Sequence, residues 1–519
     1  MPLRPFLAAL VFAASLCVFL PTPSTAEVKL PPVLSSHMVL QRDMPVSIWG
    51  TATAGEEVTV SFRGQEQSAT ADHQGKWLVK LDPVRAGGPD VMKIAGANTV
   101  TLEDVLVGEV WVGSGQSNMA GGVAGYAKND EVLAKLAAAN YPTLRLKRSG
   151  AQGWEAATAD NNSRFSAILF AFGARLHQEL DVPVGLMVGA VGGTPSGYWL
   201  SQEAYQSDAA CQEAVRKAAA TYSNTDAERN YQRDLERWEK AAEQAKQTGA
   251  KPPRKPDLPL KPGECRGQVG HLYEAHIRPY IPFGIRGVLW DQGESGTAIA
   301  GVDQYTLMGA LIRGWRNEWG QGDFPFICVQ KPSGGGCAWD QADPVTAQAE
   351  KFSPLPAAVP GTADGLYVEN HIRIMQYPRT GMATASDLGP GVHPVNKSGY
   401  GARAARVALG MVYGRQVEIY GPLYESHKIE GGQVRLSFTH VGQGLAYRHG
   451  EGLQGFAVAG EDKVFQWADA VIDGDTVLVS CDKVANPVAV RYAWGRVHPW
   501  ANLFNKDGLP ALPFRTDSW

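Results

Sequence analysis

Between Val105 and Val112 the chain runs almost without a polar side chain, with Val105, Leu106, Val107, Val110 and Val112 interrupted by Gly108 and Glu109. A short run rich in β-branched residues predicts a buried strand. It ends in a Gly113-Ser114-Gly115 turn, followed by Gln116, Ser117, Asn118 and Met119. Upstream the pattern alternates instead. Val58, Val60 and Phe62 fall on one face, as do Trp77, Val79 and Leu81. Turn clusters at Thr53-Ala54-Gly55 and Gly87-Gly88-Pro89 separate these short strands, which predicts a β-sandwich module over residues 27–104.

Downstream, strand and helix patterns alternate from 105 to 412, the signature of an α/β domain. Phe165 to Glu179 reads as a helix with Ser166 as its cap and Phe170, Ala174, Leu176 and Leu180 among its apolar positions. The buried strand VPVGLMVGAV follows and ends in GGTPSGYW. Another helix ends at Gly320, and FPFICVQ is again strand-like. Residues 207–263 form an insertion. Its segment from Thr225 to Thr248 is charged and carries Leu235, Trp238, Ala242 and Ala245 at helical spacing. KPPRKPDLPLKPG then stops the helix and runs extended, so a solvated helical hairpin arm is expected. From 413 to 519 the alternation returns, as at Val434, Leu436 and Phe438, and predicts a second β module.

A chain of 519 residues is too long for one core and fits this division into several domains. Residues 1–26 have the form of a signal peptide: Arg4 is the basic region, Phe6 to Leu20 is apolar, and Ser24-Thr25-Ala26 offers a cleavage site. A mature chain starting near Glu27, secreted or periplasmic, is expected, with no membrane span. A formal net charge of −4 argues against a nucleic-acid partner. Export permits disulfides. Removing Cys17 with the leader leaves Cys211, Cys265, Cys328, Cys337 and Cys481. Cys211 and Cys265 flank the insertion, and Cys328 and Cys337 stand close enough to close a short loop. Spacing leaves the pairing open, and an odd number leaves at least one thiol free. Metal-site spacings such as C-x-x-C and H-E-x-x-H are absent, so neither a metal nor another cofactor is expected.

Ser117 stands just past a strand end on a glycine-loosened turn, where a hydroxyl projects clear of the sheet edge. Ligands of α/β domains bind beyond the carboxyl ends of the strands. The spacing differs from the G-x-S-x-G elbow. GQSNM after a VW-rich strand resembles instead the first block of the sialate O-acetylesterase family, within the SGNH hydrolases. Further blocks follow in that family's order: GGTP at Gly192 to Pro195, VLWDQGESG from Val288 to Gly296, and SDLGPGVHPVNK leading into a helix over 401–409. The opening LPPVLSSHMVLQRDMPVSIWG and the closing WANLFNKDGLPALPFRTDSW are similar as well, so the resemblance covers nearly the whole mature chain.

The resemblance implies an SGNH-type three-layer α/β/α catalytic domain flanked by N-terminal and C-terminal β-sandwich-like modules. It implies a serine esterase that removes O-acetyl groups from sugars, most simply sialic acid, without a cofactor. The rivals are an acetylesterase acting on plant or algal polysaccharide and a sugar-binding relative with weak turnover. Ser117 would be the nucleophile and His393 its base. The Ser117 and Gly193 N–H groups and the Gln292 amide would bind the oxyanion, and Glu294 would brace the loop. The sequence departs from the family at two positions. Gly391 stands where many relatives carry the Asp of D-x-H, leaving Asp387 as the upstream acid for a triad, with a Ser–His dyad as the alternative. Gly197 stands where relatives often carry Glu.

Overall fold

The computed structural model describes residues 27–519, apart from the side chains of Thr362 and Asp364. The leader expected at residues 1–26 lies outside the described residues. The N-terminal module contains β1 (Val39–Gln41), β2 (Glu57–Phe62) and β3 (Lys76–Leu81). Val58, Val60, Phe62, Trp77, Val79 and Leu81 are all buried, because alternate residues of each strand point into the module's core.

The next strand, β4 (Thr99–Gly115), joins that module to the central α/β region. Its first half pairs antiparallel with the strand Gly87–Ala95, and β1 adds to it in parallel at Leu106 to Gly108. Its second half is the centre of a parallel sheet, so the boundary expected between residues 104 and 105 falls inside one continuous strand. The other members are β5 (Tyr141–Arg148), β6 (Val184–Ala190), β7 (Gly287–Asp291), β8 (Phe326–Val329) and β9 (Thr380–Ala383). They lie in the order β9-β8-β7-β4-β6-β5, and a short antiparallel strand, Glu155–Ala157, closes the β5 edge.

Successive residues of these strands feed two different cores. Val110, Val112, Val288, Trp290 and Phe326 pack on one face with α4 (Gln304–Trp319), whose Leu311 and Trp315 are buried there. Trp111, Leu289 and Ile327 face the other way, toward α2 (Ala167–Leu180) and α6 (Lys397–Met411). Ser166 caps α2 by accepting from Leu169 N–H, as expected, and Gly320 ends α4 in the left-handed region at φ 65°. The molecule is thus an α/β catalytic domain with separate flanking β modules. The C-terminal module buries Val434, Leu436 and Phe438 of β10 (Gln433–Thr439) in a core of its own.

The insertion carries α3 (Asn224–Thr248), a 25-residue helix that buries only Ala245. The proline-rich return lies along it: Trp238 Nε1 donates to the Pro253 carbonyl at 2.8 Å, and Lys255 sits over the Trp238 ring. All five described cysteines are free thiols, so neither Cys211 with Cys265 nor Cys328 with Cys337 forms a staple. Burial pushes the thiols of Cys211 and Cys337 up to about 12. Among the described residues no helix is long and apolar enough to cross a membrane, and no cluster of His, Cys, Asp and Glu is fit to hold a metal ion.

Candidate active site

Sheet register lines up the carboxyl ends that carry the sequence blocks. Gly115 of β4 stands opposite Ala190 of β6 on one side and Asp291 of β7 on the other. The chain leaves each strand within three residues of Ser117, Gly193 or Gln292, which gathers the three blocks at one edge. Gly115 is indispensable to that exit. It has φ +127°, and a Cβ there would overlap the Asp291 carbonyl, so a side-chain-bearing residue would force β4 and β7 apart. Ser117 then opens the short helix α1 (Ser117–Ala120). Its Oγ lies 2.8 Å from His393 Nε2, placed for the hydroxyl to donate to the ring nitrogen. The two residues are thus neighbours although the loop from β9 to α6 carries the histidine.

Gly192 and Gly193 curl over the serine. A Cβ on Gly192 would come 3.5 Å from the Ser117 Cβ. Gly193 has φ +72°, and a Cβ there would meet nothing within 4 Å, so glycine is required by the backbone turn rather than by lack of space. Thr194 braces the turn, donating from Oγ1 to the Val191 carbonyl at 2.7 Å and accepting from Trp199 Nε1 at 3.1 Å. Gly197 has no room for the relatives' glutamate, because any side chain would press on the Thr297 carbonyl at 2.5 Å.

Two expected site residues have other partners. Asp387 is fully buried, and both of its carboxylate oxygens accept from Arg403, at 3.1 and 2.9 Å. It makes no hydrogen bond to His393, and among the described residues nothing bonds the other ring nitrogen. The intervening Gly389-Pro390-Gly391 turn carries the histidine outward while the acid stays in the core. Gln292 is also buried. Its amide nitrogen donates to the carbonyls of Gly296 at 3.1 Å and Thr194 at 3.4 Å, and its oxygen accepts from Gln304 at 3.0 Å. The side chain ties the Gly193 loop to the β7 exit loop, which places it as a brace and commits its N–H groups.

Beneath these loops lies a charged group with no signal in the sequence pattern. Lys331, two residues past β8, puts Nζ 2.5 Å from Asp291 and 2.8 Å from Glu294. Burial alone would lower this ammonium, but the two carboxylates outweigh it and hold its pKa raised. Glu294 is thus held by an ion pair to the buried lysine. Lys397, at the start of α6, is equally buried. Its Nζ lies 2.6 Å from Asn118 Oδ1 and 4.5 Å from the centre of the Tyr126 ring. Burial pulls its pKa down to about 7, against the opposing pull of Asp291. The HPxxK and GQSNM blocks contain both residues, yet nothing in spacing alone assigns them a task.

Residues 107–246 match a family model described as carbohydrate esterase, sialic acid-specific acetylesterase. The chain is similar to the sialate O-acetylesterase of Rattus norvegicus, 28% identical over 535 residues and covering 93% of each protein. It is 27% identical to the Homo sapiens sialate O-acetylesterase, covering 93% of this chain and 91% of that one. Among solved structures it is similar to a carbohydrate acetylesterase from Xanthomonas citri, with 30% sequence identity and a TM-score of 0.73. That match covers 95% of this chain and 100% of the other.

Proposed function

Because the chain belongs to the sialate O-acetylesterase-like carbohydrate esterases and is a carboxylic-ester hydrolase acting on O-acetylated sugars, we propose that it works through a Ser117–His393 dyad on acetylated sialic acid. The 2.8 Å approach of Ser117 Oγ to His393 Nε2 carries this reading. His393 takes the hydroxyl proton as Ser117 attacks the acetyl carbonyl. The N–H groups of Ser117 and Gly193 hold the resulting oxyanion, with Gln292 and Glu294 keeping their loops in place. His393 then protonates the departing sugar oxygen, leaving an acetyl-serine. Water, deprotonated by the same imidazole, attacks that ester and frees acetate and the serine.

The name of the Xanthomonas citri relative specifies a carbohydrate without naming the sugar. The sialic acid assignment therefore rests on the family description and the mammalian relatives. The helices on both faces of the parallel sheet support the finer reading of an SGNH-type three-layer α/β/α domain. The leader form of residues 1–26 supports export, and sequencing the N-terminus of the mature protein tests it.

The deciding experiment measures acetate released from O-acetylated sialic acids beside acetylated xylan and pectin, for the wild type and Ser117→Ala. Turnover confined to the sialic acids is the expected result; preference for a polysaccharide would replace that substrate. Ser117→Ala abolishes acetate release and labelling by an organophosphonate while the fold remains intact. Wild-type turnover in that variant would remove Ser117 from the reaction.

A further inference from the structure

A catalytic histidine without an orienting carboxylate must be held by something else, since a misplaced imidazole loses the serine's proton. We propose that Asn118 and Lys397 are the positioning residues that hold His393 against Ser117. This rests on the assignment of Ser117 and His393 as nucleophile and base.

Asn118 follows the serine directly in α1 and is buried, and its side chain reaches both arms of the histidine loop. Its Nδ2 donates to the carbonyl of Val392, the residue just before His393, at 3.0 Å. Its Oδ1 accepts from the ammonium of Lys397, four residues after the histidine, at 2.6 Å. One side chain beside the nucleophile therefore holds the backbone just before the base and the lysine side chain four residues after it. Pro394 stiffens the span between, because its ring locks φ.

The two partners together decide which way Asn118 faces. An asparagine amide can be turned over to exchange its donor and acceptor ends. The Val392 carbonyl only accepts and the protonated Lys397 only donates, so Nδ2 faces the carbonyl and Oδ1 faces the lysine. Burying an ammonium is costly, and an apolar side chain of similar length would fill the space without that cost. The lysine's contribution is thus directional. The faces of Tyr126 and Tyr400, 4.5 and 5.6 Å from Nζ, offset part of the desolvation.

The lysine end is itself anchored. Asn396 caps α6, accepting from Gly399 N–H at 2.9 Å, and its Nδ2 donates to the Val345 carbonyl at 2.7 Å. Asp130 accepts from the Ser398 N–H and hydroxyl at 2.8 and 2.7 Å. The start of α6 is therefore a fixed post, and Asn118 ties the histidine loop to it. The histidine ring keeps only its two side-chain torsions to settle.

The test measures hydrolysis of a small chromogenic acetyl ester by Asn118→Asp, Lys397→Met and the double variant, beside Ser117→Ala. Asn118→Asp keeps its size and its bond to Lys397 but cannot donate to Val392. Each single variant is expected to lower kcat about 10- to 100-fold with KM within about twofold, the scale of a catalytic group misplaced by an ångström. The double variant should lose no more than the worse single, because both break one linkage. Unchanged kcat in Asn118→Asp, losses that multiply, or a loss confined to KM would each overturn the proposal. Asn118→Asp decides the matter alone if Lys397→Met does not fold. An inactive Ser117→Ala beside fully active Asn118 and Lys397 variants would sink the positioning role and leave the dyad standing. An active Ser117→Ala would sink both.

Discussion

Asp387 shows how a single residue's partner changes what its mutation means. Its carboxylate is the only counter-charge within hydrogen-bond reach of the buried Arg403 guanidinium among the described residues. Asp387→Asn therefore acts on stability, leaving a buried cation uncompensated at a cost of about 3–5 kcal/mol. Below its lowered melting temperature the variant should keep kcat within about tenfold of wild type, because no triad is broken. Thermal melts beside kcat check this. An unchanged melt with activity as low as that of Ser117→Ala would restore Asp387 to the triad, where losing the acid costs about 10⁴. Gly391→Asp is not a simple repair: space is open around a Cβ there, but φ is +87° and strains any side-chain-bearing residue. Gln292→Ala should lower kcat roughly tenfold, short of the about 10²–10³ expected for loss of a direct oxyanion donor. The same change should cost about 1–3 kcal/mol of stability, since Gln304 loses a buried partner.

Among the elements, β4 carries the most. Gly108 lies where a Cβ would overlap the Pro183 carbonyl, so the glycine lets β4 meet the chain entering β6. Its neighbour Glu109 is a fully buried acid in the same strand. Arg42 of the N-terminal module donates to it at 2.5 Å, Arg286 before β7 at 2.6 Å, and the Tyr413 hydroxyl after α6 at 3.0 Å. Three separate segments are thus tied to one strand through one carboxylate. Glu109→Gln strips the counter-charge from two half-buried guanidinium groups and should cost roughly 3 kcal/mol. Denaturant titration measures it. The expected signature is a lower midpoint with kcat near wild type, because Glu109 lies far along β4 from Ser117.

At the scale of the whole molecule, the C-terminal module docks beside the histidine loop. Gly365 of α5 (Thr362–Ile372) lies against the Trp494 ring, and Arg515 forms a two-pronged pair with Glu369 at 3.0 and 2.9 Å. The His498 N–H donates to the Gly335 carbonyl at 2.7 Å, and the next residue back, Gly334, packs on Gly389 of the histidine loop. His498 is buried at this junction, and burial lowers its pKa to about 4; His371, buried near Gly293, is lowered to about 4 for the same reason. Both fold neutral, so between about pH 6.5 and 4 the unfolded chain binds protons that the native one refuses. Their share of stability is present above pH 6.5 and is lost as pH falls toward 4, up to roughly 3 kcal/mol for each. Melting temperature against pH for wild type and His498→Gln checks the sign. The variant's melting temperature should fall less steeply over that window, and an identical slope would contradict a neutral buried His498.

Local pattern was enough to determine the elements, while the order of the site's blocks was read through the family resemblance. Alternation placed β2, β3 and β10, the cap and apolar spacing placed α2, and glycines marked the turns that deliver Ser117 and Gly193. These features depend on residues within a turn or two of each other, which is the range over which periodicity and backbone preference act. The meeting of Ser117 with His393 was legible only through the resemblance, since 276 positions separate them. Tertiary structure alone decided which partner each polar side chain takes. Asp387 went to Arg403, Gln292 to the carbonyls of Thr194 and Gly296, Lys331 to two acids, and none of the five described thiols to a disulfide. It also carried β4 through an expected domain boundary. A side chain's partner is set by which distant strands and helices pack beside it, and burial makes any unpaired charge or amide costly enough to enforce that choice.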